Sequence, residues 1–296
     1  MAAAPMFKKV AIIGPGLIGG SMGLAMRRRG LAETVVGIGR RRESLDKALE
    51  VGAIDRATLK PRQGVDGADL VVLATPISAF AQLAAEVAEA LEPQAVLTDV
   101  ASTKVKVIET VSSALHTRPD VAYVPSHPMA GSERRGPLAA DPDLFEGAVC
   151  ILTPLPITQP DTKSRIARMW EQMGARVVSM SPQAHDRAVA RISHMPHLMA
   201  AAVVQMLDEG DMALCGRGLL DTTRIASGSP DIWLDICKTN REEIRGAVAD
   251  LVALLAQTVE ALDEGDMARL RAMLENAKAK RDRLLEKRRP CHPENQ

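Results

Sequence analysis

Four apolar residues, Val10-Ala11-Ile12-Ile13, run straight into Gly14-Pro15-Gly16-Leu17-Ile18-Gly19-Gly20-Ser21, and this junction constrains the fold more than any other stretch. The apolar run reads as a short buried strand. Leu17 to Arg29 then reads as a helix, with Leu17, Leu24 and Ala25 on one face, Arg27-Arg28-Arg29 near its end, and Gly30 as its stop. A second strand follows at Thr34-Val35-Val36-Gly37-Ile38. Strand, glycine turn, helix and strand in that order make the βαβ unit of a dinucleotide-binding fold. Gly14 permits the tight turn, Gly16 lets the backbone approach a pyrophosphate, and Gly19 lets the helix pack close to the sheet. Leu17 and Ile18 open the helix, whose free N–H groups and dipole then face the phosphates. A glycine-rich turn without a ligand is the plainer alternative.

Cofactor choice is read at the end of the second strand, where an NAD site usually carries an Asp or Glu for the ribose hydroxyls. This chain has Gly39-Arg40-Arg41-Arg42 there. No carboxylate opposes a 2′-phosphate at that point, and Arg40 and Arg41 suit one through charge-assisted bonds. The balance leans toward NADP. Arginines are also common on a solvated helix start, and the nearby Glu43 leaves NAD open.

The α/β rhythm continues through strands at Asp69 to Ala74, Ala95 to Val100 and Val121 to Val124, with helices at Ser78 to Leu91 and Val105 to Leu115. Two more strands, Ala148 to Leu152 and Ala175 to Met180, flank a helix over Arg165 to Met173. Ligands of open α/β sheets sit beyond the carboxyl ends of the strands. The glycine turn, Thr75-Pro76, Ser102 and His127 all fall at such ends, which adds Thr75 to the cofactor-binding set. His127 lies in Pro125-Ser126-His127-Pro128-Met129-Ala130-Gly131-Ser132-Glu133, a strand end leading into a polar turn. A histidine so placed is aimed at a cleft, or else is a loop histidine satisfied by a backbone carbonyl.

After Ser181-Pro182 no strand pattern recurs. Helical runs rich in Ala, Leu and Met cover Ala184 to Leu207, Ile232 to Leu262 and Met267 to Lys287. The expected architecture is α/β: a Rossmann-type dinucleotide-binding domain at 1–181, then an all-helical substrate and dimerisation domain at 182–296. Helices with this much apolar surface suit a homodimer.

Lys+Arg and Asp+Glu are both 37, and aromatics make up only 2%, which argues against nucleic acid or an anionic membrane as the main partner. No apolar run reaches membrane-spanning length, and Met1 to Met6 lacks the apolar segment of a secretory signal, so a cytoplasmic protein is expected. The cysteines, Cys150, Cys215, Cys237 and Cys291, form no C-x-x-C or Cys/His cluster, so no metal is expected.

The segments GPGLIGGS, DVASTK (Asp99 to Lys104), SHPMAGSE (Ser126 to Glu133), ISHMPHLMA (Ile192 to Ala200) and LLDTTRIASGSPDIWLDICKTN (Leu219 to Asn240) occur in this order. Together they resemble the prephenate/arogenate dehydrogenases of tyrosine biosynthesis, from the first strand to about Asn240. Arg134-Arg135 departs from the small or lysine-containing loops usual there, and Gly39-Arg40 resembles members that use NADP. The resemblance implies NAD(P)-dependent oxidative decarboxylation of a cyclohexadiene: hydride leaves C4 for the nicotinamide while the ring carboxylate departs as CO2, giving 4-hydroxyphenylpyruvate or tyrosine. It implies His127 as acceptor of the 4-hydroxyl proton, with Ser102 orienting that ring or bonding the nicotinamide amide. It further implies Arg224 as the carboxylate clamp and His197 and Glu133 as substrate-pocket residues.

Each assignment has a plainer counterpart. Ser102 can cap the helix from Val105, Arg224 can pair with Asp221, and His194 can be structural. Trp233 and Asp235 suit packing or a dimer interface. Two other functions share the architecture. A β-hydroxyacid dehydrogenase relies on a lysine in its helical domain, where this chain offers only Lys238 mid-domain. A non-catalytic NADP-sensing regulator needs the glycine turn but not Ser102, His127 and Arg224. A chain of this length is expected to be monofunctional.

Overall fold

The computed structural model describes residues 4–132 and 134–286. Two compact units divide the chain, one through Ile244 and one from Arg245.

The first unit is built on eight strands: β1 (Phe7–Ile13), β2 (Ala32–Ile38), β3 (Arg56–Thr58), β4 (Leu70–Leu73), β5 (Val96–Asp99), β6 (Ala122–Pro128), β7 (Val149–Leu152) and β8 (Arg176–Ser179). Their order in the sheet is β3-β2-β1-β4-β5-β6-β7-β8. Helices α1 (Leu17–Arg28), α2 (Arg42–Glu50), α3 (Pro61–Val65), α4 (Phe80–Ala88), α5 (Val105–Ala114) and α6 (Pro160–Gln172) fill the connections. The central strands are apolar at successive positions because both faces are covered. Val10, Ile12, Leu70, Val72 and Val96 join one buried cluster, and Ala11, Ile13, Val71, Leu73 and Leu97 the other. The chain reverses direction across the sheet between β1 and β4, which opens the crevice at the glycine turn.

Where β6 ends decides where His127 points. Its first residues pair in parallel with β5, but Ser126, His127 and Pro128 pair antiparallel with Leu152, Ile151 and Cys150 of β7. His127 therefore lies inside the strand, two residues beyond its last β5 partner, rather than in the loop that follows. The alternation of sequence alone predicts strands and helices up to Ile38 and from Asp69. The short α2, β3 and α3 between them lack any long apolar run.

Beyond β8 the first unit is helical: α7 (Pro182–Val189), α8 (Met195–Gln205), α9 (Glu209–Ala213), α10 (Arg217–Thr223), α11 (Pro230–Thr239) and the start of α12 (Arg241–Asp263). The run expected as one helix from Ala184 is broken by a π-helical turn at Ala190–His194. Pro196 sits two residues further on. It has no N–H to donate to the carbonyl four residues back, and its ring crowds that carbonyl, so the backbone widens there. The run from Ile232 also breaks, at Asn240, whose φ and ψ of −126° and 33° are not helical.

The second unit holds the rest of α12 and helix α13 (Met267–Glu286), joined through Gly265 at φ +67°. Arg269 pins the turn through Glu260 at 2.6 Å. Val252, Leu255, Val259 and Leu262 are each more than half exposed in this chain. No helix among the described residues is long and apolar enough to cross a membrane.

Candidate active site

The glycine turn meets the requirements of a phosphate cradle. Gly14 sits at φ +94°, and a Cβ there would lie 2.7 Å from the Ala74 carbonyl oxygen. A Cβ on Gly19 would lie 2.5 Å from the Gly14 carbonyl oxygen and 2.9 Å from Ile12 Cγ2, so α1 approaches the sheet as closely as glycine allows. Gly16, by contrast, would find nothing within 4 Å, which leaves its backbone open to a ligand. The first turn of α1 carries neither a capping side chain nor an acidic residue. Its free N–H groups and positive dipole end suit a pyrophosphate. On these observations the residues present fit a dinucleotide.

Gly14 N–H donates to the Ile38 carbonyl at 2.8 Å, which draws the end of β2 alongside the turn. Arg40 and Arg41 follow, both exposed. Glu43 is engaged by Lys47 at 2.6 Å, and that bond holds its carboxyl below the ordinary carboxylate range.

A cavity of about 660 Å³ opens on the same rim. It brings together Leu17, Ile18, Thr75, Ser102, His127, His197 and Arg224, seven of the residues singled out above. Gly14, Gly16, Gly19, Arg40 and Arg41 lie beside it, along the ends of β1 and β2, rather than on its wall. Glu133 lies outside the described residues, while its neighbours Arg134 and Arg135 line the cavity.

His127 is 6% exposed, so it enters the cavity by an edge only. Its Nδ1 meets His185 Nε2 at 2.8 Å, and His185 Nδ1 meets Asp186 Oδ1 at 2.8 Å. Asp186 also accepts from the backbone N–H groups of Lys104 at 2.7 Å and Val105 at 2.9 Å, so it caps α5. Ser102, whose plainer alternative was that cap, faces the cavity. Lys104 is fully buried, ion-paired to Asp99 and donating to the Ser126 carbonyl at 2.7 Å. Tyr123 donates to the other Asp99 oxygen at 2.7 Å. Burial, with His185, Lys104 and His194 nearby, holds the His127 imidazole well below the usual histidine range. His185 is lowered by burial, in part offset by Asp186.

The opposite wall is aromatic. His197 stacks on Trp233, with ring centroids 3.5 Å apart and planes 13° from parallel. Gly228 backs this pair, since a Cβ there would stand 2.5 Å from Trp233 Nε1 and 2.9 Å from His197 Cε1. Trp233 therefore shapes the cavity, where the sequence suggested packing or an interface. Asp235 accepts from the Ser78 N–H at 2.9 Å, tying α11 to the segment after Thr75-Pro76. Arg224, exposed, opens the short 3-10 turn after α10. His194 is 1% exposed; its Nδ1 accepts from Asn240 at 3.2 Å, and burial lowers its pKa to about 4. Sequence reasoning missed the roles of His185, Asp186 and Asn240. The adjacent His-Asp pair just after Ser181-Pro182 was the available signal.

With this geometry in place, comparison with known proteins is decisive. Residues 22–179 match the model of the prephenate dehydrogenase nucleotide-binding domain, and residues 181–276 that of the prephenate dehydrogenase dimerization domain. The chain belongs to the prephenate dehydrogenase family. It is 33% identical to a prephenate dehydrogenase of Bacillus subtilis over 93% of this chain and 76% of the relative. A cyclohexadienyl dehydrogenase of Zymomonas mobilis is 34% identical, over 88% of this chain and 91% of the relative. Among solved structures, prephenate dehydrogenase from A. aeolicus, in complex with hydroxyphenyl propionate and NAD+, superposes with a TM-score of 0.86 at 31% identity. That superposition covers 94% of this chain and 98% of the other. Members of this family are NAD(P)-dependent oxidoreductases of the prephenate/arogenate dehydrogenase type, and this chain is one of them.

Proposed function

We propose that this chain oxidatively decarboxylates prephenate, arogenate or both, with NADP preferred over NAD, and that His127 accepts the proton of the substrate's 4-hydroxyl. The observation that carries the reading is the pairing of His127 Nδ1 with His185, which leaves Nε2 as the ring atom available to the cavity. A lowered histidine pKa keeps that nitrogen unprotonated at neutral pH, as a hydrogen-bond acceptor must be.

The nicotinamide, when bound, takes up the hydride from the ring carbon bearing the hydroxyl. Gly14, Gly16, Leu17, Ile18 and Gly19 would hold the pyrophosphate, with Thr75 beside the turn. Arg40 and Arg41 would hold a 2′-phosphate, a role supported by Glu43 being occupied by Lys47. Arg224 is the cation at the cavity for a substrate carboxylate, and the His197–Trp233 stack supplies a flat wall for the ring. Ser102 orients the imidazole or the nicotinamide amide from the neighbouring strand end. Glu133, Arg134 and Arg135 form the segment beside which the substrate side chain is read.

The boundary between nucleotide-binding and helical parts is placed at 181/182. The exposed apolar residues of α12 support a homodimer through the helical part. A cytoplasmic location accords with the sequence.

The test is His127→Asn. Turnover should fall by about 10³-fold or more, with the Kd for the cofactor unchanged. Turnover at the parent rate would remove His127 as acceptor. Initial rates with prephenate and arogenate, each against NAD and NADP, assign substrate and cofactor. A lower KM for NAD than for NADP would overturn the preference stated here.

A further inference from the structure

We propose that His185 and Asp186 are positioning residues that lock His127 in its Nδ1–H tautomer, so that Nε2 is the base, and steady the imidazolium formed when it takes a proton. The inference rests on the reading of His127 as acceptor.

The tautomer follows from counting hydrogens along the chain of bonds. Asp186 receives N–H groups from Lys104 and Val105, and its Oδ1 lies 2.8 Å from His185 Nδ1. A carboxylate only accepts, so the His185 hydrogen is on Nδ1. Neutral imidazole has one such hydrogen, and His185 Nε2 is therefore a bare lone pair. It faces His127 Nδ1 at 2.8 Å, which must then donate. The single hydrogen of neutral His127 is thereby assigned to Nδ1. The opposite tautomer would set two lone pairs against each other inside a buried contact.

The bonds do not form an exit for the proton. His185 is fully buried and Asp186 is 2% exposed, with both Asp186 oxygens engaged. A proton taken at His127 Nε2 therefore leaves again through the cavity. Asn240 fixes the far end by donating to the Asp186 carbonyl at 2.8 Å and to His194 Nδ1 at 3.2 Å.

Around His127 stand Lys104 and Asp99 from the β5–α5 junction, Tyr123 on its own strand, Cys150 on β7, His185 and Asp186 on α7, and His194 and His197 after it. Arg134, Arg135 and Arg224 line the cavity. The Lys104 ammonium, paired with Asp99, opposes a second positive charge beside it. Asp186 is the anion that offsets this opposition through His185.

Full-length protein labelled with 15N tests the inference, with the His127 signals assigned by their loss in His127→Asn. The expected spectrum has a protonated Nδ1 and an unprotonated Nε2 at neutral pH, before any substrate is added. His185→Phe should mix the tautomers and cut kcat by about 10²-fold, with the cofactor Kd within about two-fold of the parent. His185→Gln, whose amide oxygen can accept from Nδ1–H, should restore about ten-fold of that loss. Asp186→Asn should move the acid limb of kcat/KM to lower pH, because the imidazolium loses its anion. A protonated Nε2 in the parent protein would overturn the proposal. So would equal losses in His185→Phe and His185→Gln with an unmoved acid limb. An active His127→Asn would remove the base itself, whatever the tautomer.

Discussion

The two sides of the cavity are built differently. The cofactor side is contiguous in sequence: strand, turn and helix span residues 7 to 28, and Gly14 and Gly19 answer close backbone approaches there. The side that carries His127 is gathered from five places, at residues 102, 127, 185–186, 197 and 224–235. Its key contacts separate His127 from His185 by 58 positions and Lys104 from Asp186 by 82. A local device depends on space at a few backbone atoms. A gathered one depends on the alignment of helices that meet only in the folded chain, so the two sides should break in different ways.

Gly19→Ala strains the local side at the turn itself. The added Cβ would lie 2.5 Å from a backbone oxygen, which cannot swing aside as a side chain would. Helix α1 must lift from the sheet, at a cost of about 1–3 kcal/mol in stability for such overpacking. The cofactor Kd should rise by about 10²-fold, because the free N–H groups at the start of α1 move with the helix. Calorimetry and cofactor titration check this. Tight binding in a variant with parental Tm would show that the close approach of α1 is not what holds the phosphates.

What could be read in advance follows the same division. The glycine turn, the alternation that makes β1, β2 and β4 to β8, and the helical character after Ser181 are local patterns, and the fold follows them. Ser102 and His127 stood out by their places at strand ends, His197 and Arg224 entered through a family resemblance, and the fold brings all four to one cavity. The His185-Asp186 pair was visible as a pair, but its contacts were not, because nothing near it in sequence shows that α7 meets the start of α5. Asp186 caps a helix that begins 81 positions earlier. Trp233 packs, as one of its two readings had it, but its partner could not be named for a related reason: a lone Trp on an amphipathic helix looks the same whether it faces a core, a partner or a stacked imidazole.

Acid should discriminate between the two sides next. His127, His185, His194 and His197 all have pKa values lowered in the fold, chiefly by burial. In the unfolded chain each returns toward about 6.5. The unfolded state therefore binds more protons as pH falls below that value, and stability is full above it and declines beneath it. For His194, lowered to about 4, the linked loss by pH 4 is roughly 3 kcal/mol. Thermal unfolding followed from pH 7.5 down to 4.5 should show Tm falling below about pH 6.5, with a shallower fall in His194→Asn. An unchanged slope in that variant would mean that His194 is not held neutral by the fold.

The smallest effect returns to the local side, where charge rather than space is at stake. Arg40 and Arg41 are exposed, so any bond they make to a 2′-phosphate competes with water and salt. Glu43 sits close by but is tied to Lys47, one helical turn along, and its carboxyl is stabilised as an anion there. Replacing both arginines by serine should raise the KM for NADP by about ten-fold, consistent with one or two exposed charge-assisted bonds. The KM for NAD should stay within about two-fold, since no ribose hydroxyl depends on those side chains. The ratio of the two KM values is the sensitive measurement, because damage to the fold would raise both together. If the ratio is unmoved in the double variant, the end of β2 does not select the cofactor, and Lys47→Ala, which frees Glu43, should be equally silent. If instead the ratio moves only at low salt, the arginines act as a diffuse field at the rim and not as ligands of a phosphate.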